Sequence, residues 1–204
     1  MAHVGRPRTF DRDEALKKAM LVFWDKGFEG TTMSDIISAI GMKAPSVYAA
    51  FGNKDALFDE VVQLYTGMFY QGPLKALNSA SEIGQAIEQC LKAHIDMFTS
   101  QEKACSCLLL TAANNCSPEH QQHVVQLRNI RAGYKGALLA RFKKAEAEGQ
   151  LVAAADPQSL TEFYATCIQG LAMSAKDGAS KKVLLESCGY ALAVLKPFLK
   201  DVAR

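Results

Sequence analysis

Apolar residues recur at spacings of three and four along almost the whole chain, and no stretch alternates with the period of two that marks a strand. Ala15, Leu16, Ala19, Met20, Val22 and Phe23 form the first such stripe and predict a helix over 11–26. Asp11 stands where a cap is needed, Glu14 completes a capping-box pattern, and Phe10 is placed to staple onto Ala15. Gly27 ends the helix, with Phe28 folding back. Thr32, followed by Asp35, caps a second helix whose inner face is Ile36, Ile37 and Ile40, and Gly41 ends it. Met42, Lys43 and Ala44 make a turn. Pro45 suits the first position of a third helix because its missing N–H has no intrahelical partner there. Val47 and Phe51, four apart, face inward. Ser46, Tyr48, Ala49 and Ala50 look elsewhere. Gly52 stops this helix and Asn53 caps the next.

That fourth helix runs from Lys54 to about Tyr70, where Gly72–Pro73 is expected to break it, with Pro73 to Asn78 open to one further turn. Its apolar face (Leu57, Phe58, Val61, Val62, Leu64, Tyr65) is wider than a three-helix unit needs, so it must pack on something beyond. Further helices are predicted over 82–99 and 107–114. Another opens at Ser117–Pro118 and reaches Glu148, a rod of roughly 45–50 Å at about 1.5 Å per residue. Two more run from Asp156–Pro157 to Lys176 and from about Ser180 to Pro197. The fold class is all-α with about nine helices. The division is a three-helix unit with an N-terminal arm at 1–65 and a larger helical domain at 66–204.

Composition changes this picture little. The chain is 49% hydrophobic and 22% charged, ordinary for a globular protein. No apolar run approaches the roughly 20 residues that span a bilayer, and the opening MAHVGRPRTF lacks a signal-peptide core. A cytoplasmic location and no membrane partner are therefore expected. Six cysteines in such a chain should be reduced. Net charge is +2, and residues 1–65 hold eight Lys or Arg against nine Asp or Glu. Charge alone does not nominate a nucleic-acid binder. Placement does more. Arg6 and Arg8 precede the first helix, and Lys43 and Lys54 flank the third.

Two short helices joined by a glycine turn, from Thr31 to Lys54, form a helix-turn-helix pattern. Phe23–Trp24 precedes Gly27–Phe28, then Gly30–Thr31–Thr32. Ile36, Gly41, Pro45–Ser46–Val47–Tyr48, Phe51, Lys54 and Leu57 follow without a gap. In these residues the first third of the chain resembles the DNA-binding domain of the tetracycline-repressor (TetR) family. The resemblance implies a homodimeric transcription regulator, usually a repressor, that a small molecule releases from a palindromic double-stranded operator. It makes 66–204 a ligand-sensing and dimerisation domain. It places Ser46 to Ala50 in the major groove and sets Tyr48 and Lys54 on phosphates. Thr32, at a helix N-terminus, offers its hydroxyl and N–H groups to another phosphate. Lys43 reaches a phosphate or a guanine edge, and Arg6 and Arg8 follow the minor groove. Ala49 and Ala50 stand where many relatives carry longer polar side chains. Alanine makes no bidentate base contact, so direct readout is expected to rest on Lys43, Ser46 and Tyr48, with the arm and DNA shape carrying more of the specificity.

A lone recognition helix buries little surface, so pairing is expected. The last two long helices are the dimer candidates, through Tyr164, Cys167, Ile168, Leu171, Leu185, Cys188 and Leu192. The effector pocket is expected among the central helices. Cys90, His94, Phe98, Asn114, Tyr134 and Phe163 are its lining candidates, with Phe69, Met97 and Leu109 nearby. Its effector is unknown. No cofactor is expected, and no metal.

An alternative is a thiol- or metal-responsive regulator using Cys105, Cys107 and Cys116, with His120 and His123 close by. A thiolate at a helix N-terminus has a lowered pKa, and clustered thiols bind Cu(I) or Zn(II). Each of these residues is also a plausible core residue. Remoter readings are a thiol enzyme, although no nucleophile elbow or nucleotide loop is present, and an adaptor that has lost DNA binding.

Overall fold

A computed structural model describes residues 11–100 and 106–200. Arg6, Arg8, Phe10 and Cys105 lie outside the described residues. The helices are α1 (Arg12–Lys26), α2 (Met33–Ile40), α3 (Ala44–Phe51), α4 (Lys54–Tyr65), α5 (Gln71–Leu77), α6 (Ile83–Thr99), α7 (Leu108–Thr111), α8 (Gln121–Ala147), α9 (Pro157–Lys176) and α10 (Lys181–Leu195). A π-helical turn, Thr66–Tyr70, joins α4 to α5, so these two form one rod and the described residues make nine helices. A single isolated bridge, Leu151 to Leu199, is the only extended pairing among the described residues.

The caps explain the N-terminal boundaries. The Asp11 carboxylate accepts the N–H groups of Asp13 and Glu14. Glu14 does not complete the expected box, and its side chain pairs with Lys17 at 2.8 Å instead. Thr32 and Asp35 do form a reciprocal capping box on α2. Such a cap contributes about 1 kcal/mol. Gly41 closes α2 at φ +78°, a left-handed conformation that costs other residues energy. Ala44 begins α3, with Pro45 in its first turn.

The expected break at Gly72–Pro73 does not occur. Pro73 has no N–H for the Phe69 carbonyl, and the widened π turn just before it carries the helix across that gap. The predicted helix over 107–114 shrinks to one turn.

Two apolar cores result. One joins α6, α8, α9 and α10 around Ile87, Leu91, Phe98, Leu138, Phe142 and Tyr164. The other is centred on Phe23, Phe28, Ile36, Val47, Leu57 and Phe58 of the first four helices. This second core does not stop at residue 65. Leu108, Leu109, Ala112, Ala113 and Leu127 belong to it, so the wide face of α4 is covered by α7 and α8.

Candidate DNA interface and the seam behind it

In α3, Val47 and Phe51 are buried while Pro45, Ser46, Tyr48 and Ala49 are exposed. Lys43, at the helix N-cap, is exposed as well. The outward face therefore offers one lysine, one serine and one tyrosine, with Tyr48 at 48% exposure despite its apolar ring. Arg12, which sequence reasoning passed over, fixes this helix from behind. Its guanidinium donates to the Ala50 carbonyl at 3.2 Å and to Glu60 at 2.7 Å, and it stacks 4.7 Å from the Phe51 ring.

Lys54 and Thr32 have different surroundings from those expected. The Lys54 ammonium donates to the carbonyls of Phe28 (3.1 Å) and Thr31 (3.2 Å) and sits 4.2 Å over the Phe28 ring. It ties the loop before α2 to the start of α4 and acts as a positioning residue. The Thr32 hydroxyl donates to Asp35 at 2.7 Å and accepts the Asp35 N–H. Lys26 and Thr32 hold the Asp35 carboxyl well below the usual carboxylate range. That carboxylate lies at the end of α2 where the resemblance sets a phosphate.

Behind α3 a polar seam joins the first four helices to the rest. Trp24 Nε1 donates to the Ser106 carbonyl at 2.7 Å. The Phe28 N–H donates to the Ala112 carbonyl at 2.6 Å. Gly27, at φ +71°, lies against that same carbonyl, and a Cβ there would approach it to 3.3 Å. Glu29 accepts the Ser117 N–H at 2.7 Å, which lowers its pKa. One oxygen of Asp55 meets His123 Nε2 at 2.9 Å, His120 Nδ1 at 3.2 Å and Gln122 Nε2 at 3.3 Å. Burial opposes the charge of Asp55, yet His123 and His120 hold its carboxyl below the ordinary value. Both imidazoles pack on Phe28, at 4.8 and 4.4 Å between ring centres. None of these pairings was read from the sequence.

A cavity of about 260 Å³ opens where the α4–α5 rod meets α6, α8 and α9. His94, Phe98 and Tyr134 line it, with Phe69, Met97 and Leu109. Tyr65, Tyr70, Cys107 and Ile168 also reach it. Cys90 stands behind the wall, its Sγ 3.0 Å from the Tyr134 hydroxyl. His94 Nδ1 pairs with the Cys90 carbonyl at 2.9 Å. Burial pushes the His94 pKa down to about 4, so the imidazole is neutral at pH 7. Asn114 and Phe163 are exposed and do not line the cavity. Asn114 lies past the single turn of α7, and Phe163 projects from the outer side of α9. A depression of about 770 Å³ near Glu82, Glu88, Glu148, Gln150, Lys196 and Lys200 is larger. Its charged walls suit a solvated groove better than a ligand site.

Residues 15–61 match the model of bacterial regulatory proteins of the tetR family. The chain is 32% identical over 197 residues to the HTH-type transcriptional repressor ComR of Escherichia coli (strain K12), covering 96% of this chain and 94% of that protein. The chain belongs to the TetR family. A second E. coli repressor, BdcR, is 25% identical over 97% of this chain and 95% of its own length. The TetR family regulator CifR, solved in a cysteine-substituted form complexed with 26-bp double-strand operator DNA, superposes with a TM-score of 0.85. It is 35% identical, with 92% of this chain and 98% of that one covered. The protein is thus a DNA-binding transcriptional repressor of the helix-turn-helix type, from a family of regulators rather than enzymes.

The expected dimer residues of this TetR-family repressor need correction. Tyr164, Ile168, Leu171 and Cys188 are buried in the chain's own core, and the Tyr164 hydroxyl donates to the Ala191 carbonyl at 2.9 Å. Sequence periodicity shows that a stripe is apolar, not which neighbour covers it. Cys167 and Leu192 are half-buried, and Leu185 is exposed. Leu185 apart, the outward apolar side chains of α9 and α10 are instead Phe163, Met173, Val183, Tyr190 and Val194, with Tyr190 78% exposed.

Among the described residues, the cysteines do not show the lowered pKa that reactivity requires. Burial pushes the thiols of Cys107 and Cys116 up. Cys107 accepts a hydrogen bond from the Tyr65 hydroxyl at 3.5 Å, and α7 is too short to supply a strong dipole. Among the described residues, no helix is long and apolar enough to cross a membrane.

Proposed function

We propose that this repressor acts in the cytoplasm as a homodimer on a palindromic operator, and that a small organic effector in the 260 Å³ cavity releases it. One observation carries the release mechanism: the cavity and the DNA-binding head share side chains. Tyr65 and Phe69 wall the cavity, and both pack edge-on against Trp24 of α1, at 5.0 and 5.4 Å between ring centres. A ligand that pushes on these rings pushes on the head. The π turn at Thr66–Tyr70 is the place for such a shift, because its hydrogen-bond register already departs from the α-helix. The walls suit a mainly apolar molecule with one or two polar groups, which would meet Tyr134, His94 or Arg131.

The apolar outer face of α9 and α10 supports the dimer. Two such faces from two chains make a four-helix bundle. Tyr48 then serves a phosphate, Ser46 a base edge, and Lys43 either a phosphate or a guanine edge in each half-site.

Operator release tests this reading. Small apolar compounds are screened against protein bound to a fluorescent operator duplex. Compounds that release DNA should lose about tenfold or more in potency against Tyr134→Phe or Met97→Trp, the loss of about 1.4 kcal/mol that one contact supplies. If every releasing compound acts unchanged on both variants, the cavity is not the sensor. In sedimentation, the wild type should run as a dimer and Tyr190→Glu as a monomer.

A further inference from the structure

The geometry points to a metal site for a borderline first-row divalent cation, Zn(II) foremost, formed by Asp55, His120 and His123 at the joint between the DNA-binding head and the sensor body. Each residue offers one ligand atom, and the three atoms lie within 4.8 Å of one another. Two of the separations, from Asp55 Oδ1 to His123 Nε2 and to His120 Nδ1, are 2.9 and 3.2 Å. Ligand atoms about 2.0–2.1 Å from a tetrahedral zinc sit roughly 3.3–3.4 Å apart; the two Asp55 distances lie close to that, and the two imidazole nitrogens, within 4.8 Å of each other, would rotate onto the cation. Two imidazoles and one carboxylate suit zinc far better than magnesium, which prefers oxygen donors alone. Three protein ligands leave a fourth position for water.

The second observation is independent of that spacing. His123 is almost wholly buried, its side chain 1% exposed. Its Nδ1 has no hydrogen-bond partner among the described residues, yet it lies 3.6 Å from Asp59 Oδ1. The buried Nδ1 thus faces a carboxylate without making a hydrogen bond to it. With a metal on Nε2, Nδ1 carries the proton and points it at Asp59. A histidine ligand whose other nitrogen donates to a carboxylate is the usual outer-shell arrangement of metal sites. The cation takes the place of the hydrogens now shared between Asp55 and the two imidazoles.

The position gives the site a consequence. Asp55 begins α4 directly after the turn that ends α3, whereas His120 and His123 lie at the start of α8. A cation on all three ties the reading helix to the body by a second route, separate from the cavity.

The test is a calorimetric titration of the reduced, full-length, tag-free chain with zinc chloride, beside magnesium chloride. Zinc should bind at one per chain and raise the Tm, and magnesium should do neither. His120→Ala, at the half-exposed ligand, should weaken zinc binding about tenfold or more. Asp59→Asn should weaken it by roughly ten- to a hundredfold, the usual cost of losing an outer-shell partner. Cys107→Ser combined with Cys116→Ser should leave it unchanged. X-ray absorption at the zinc edge should show nitrogen and oxygen neighbours with no sulfur. Far-UV circular dichroism confirms that each variant is folded. Absent zinc binding, sulfur in the zinc shell, or binding indifferent to His120→Ala and Asp59→Asn would each overturn the proposal. None of these outcomes depends on whether the cavity binds an organic effector.

Discussion

Trp24 and Ser106 are 82 residues apart in sequence, and the indole of one donates to the backbone carbonyl of the other at 2.7 Å. The same indole rests edge-on against Tyr65 and Phe69, which wall the cavity. The chain's one tryptophan therefore sits where the head, the cavity wall and the segment before α7 meet. Trp24→Phe keeps an aromatic ring there but leaves the Ser106 carbonyl without its donor. Unfolding in urea should show a loss of about 1–3 kcal/mol, the cost of a buried polar group left unpaired. The variant's operator affinity should also respond less to a releasing compound.

The outward face of α3 sets a different expectation. Tyr48→Phe removes only a hydroxyl, and Lys43→Ala removes a charge. Fluorescence anisotropy on operator and scrambled duplexes separates their roles. Tyr48→Phe should weaken both duplexes alike. Lys43→Ala should flatten the salt dependence, by up to about 0.9 in the slope of log affinity on log salt if its partner is a phosphate. If Lys43 reads a base edge, discrimination between the duplexes should fall instead, by about 1–3 kcal/mol.

His94 gives a pH dependence of defined sign. Its folded pKa is lowered by burial to about 4, from 6.5 in the unfolded chain. The unfolded state therefore takes up a proton first as pH falls. The stability that the neutral buried ring allows is fully present above pH 6.5 and declines between about 6.5 and 4, by roughly 3 kcal/mol at most. Urea unfolding at a series of pH values should show this decline, and His94→Gln should show a shallower one over the same interval.

Much of the fold was legible because its signals are local. Asp11, Thr32, Asn53, Asp156 and Ser180 each cap the helix that follows them, and a cap is written within four residues. The helix-turn-helix was legible for the same reason. The Pro73 misreading shows the limit: a proline predicts a lost hydrogen bond, but not the π turn that absorbs the loss. The site was harder because its contacts are long-range. Nothing near Asp55 announces His120 and His123, and nothing near Lys54 announces that its ammonium turns inward to two carbonyls. Tyr164 and Phe163 are adjacent, yet one is buried in the core and the other faces outward. Periodicity marks both as apolar and cannot say which partner each one meets.

In the proposed mechanism, filling the cavity moves the head. Ala165 lines the cavity, so Ala165→Phe places a permanent bulk where an effector would sit. The decisive measurement is its operator affinity by fluorescence anisotropy, beside sedimentation to verify that it remains dimeric. Ala165→Phe should give a folded dimer that binds operator about tenfold or more weakly, a cost of about 1.4 kcal/mol or more. A folded dimer with the affinity of the wild type would contradict that mechanism.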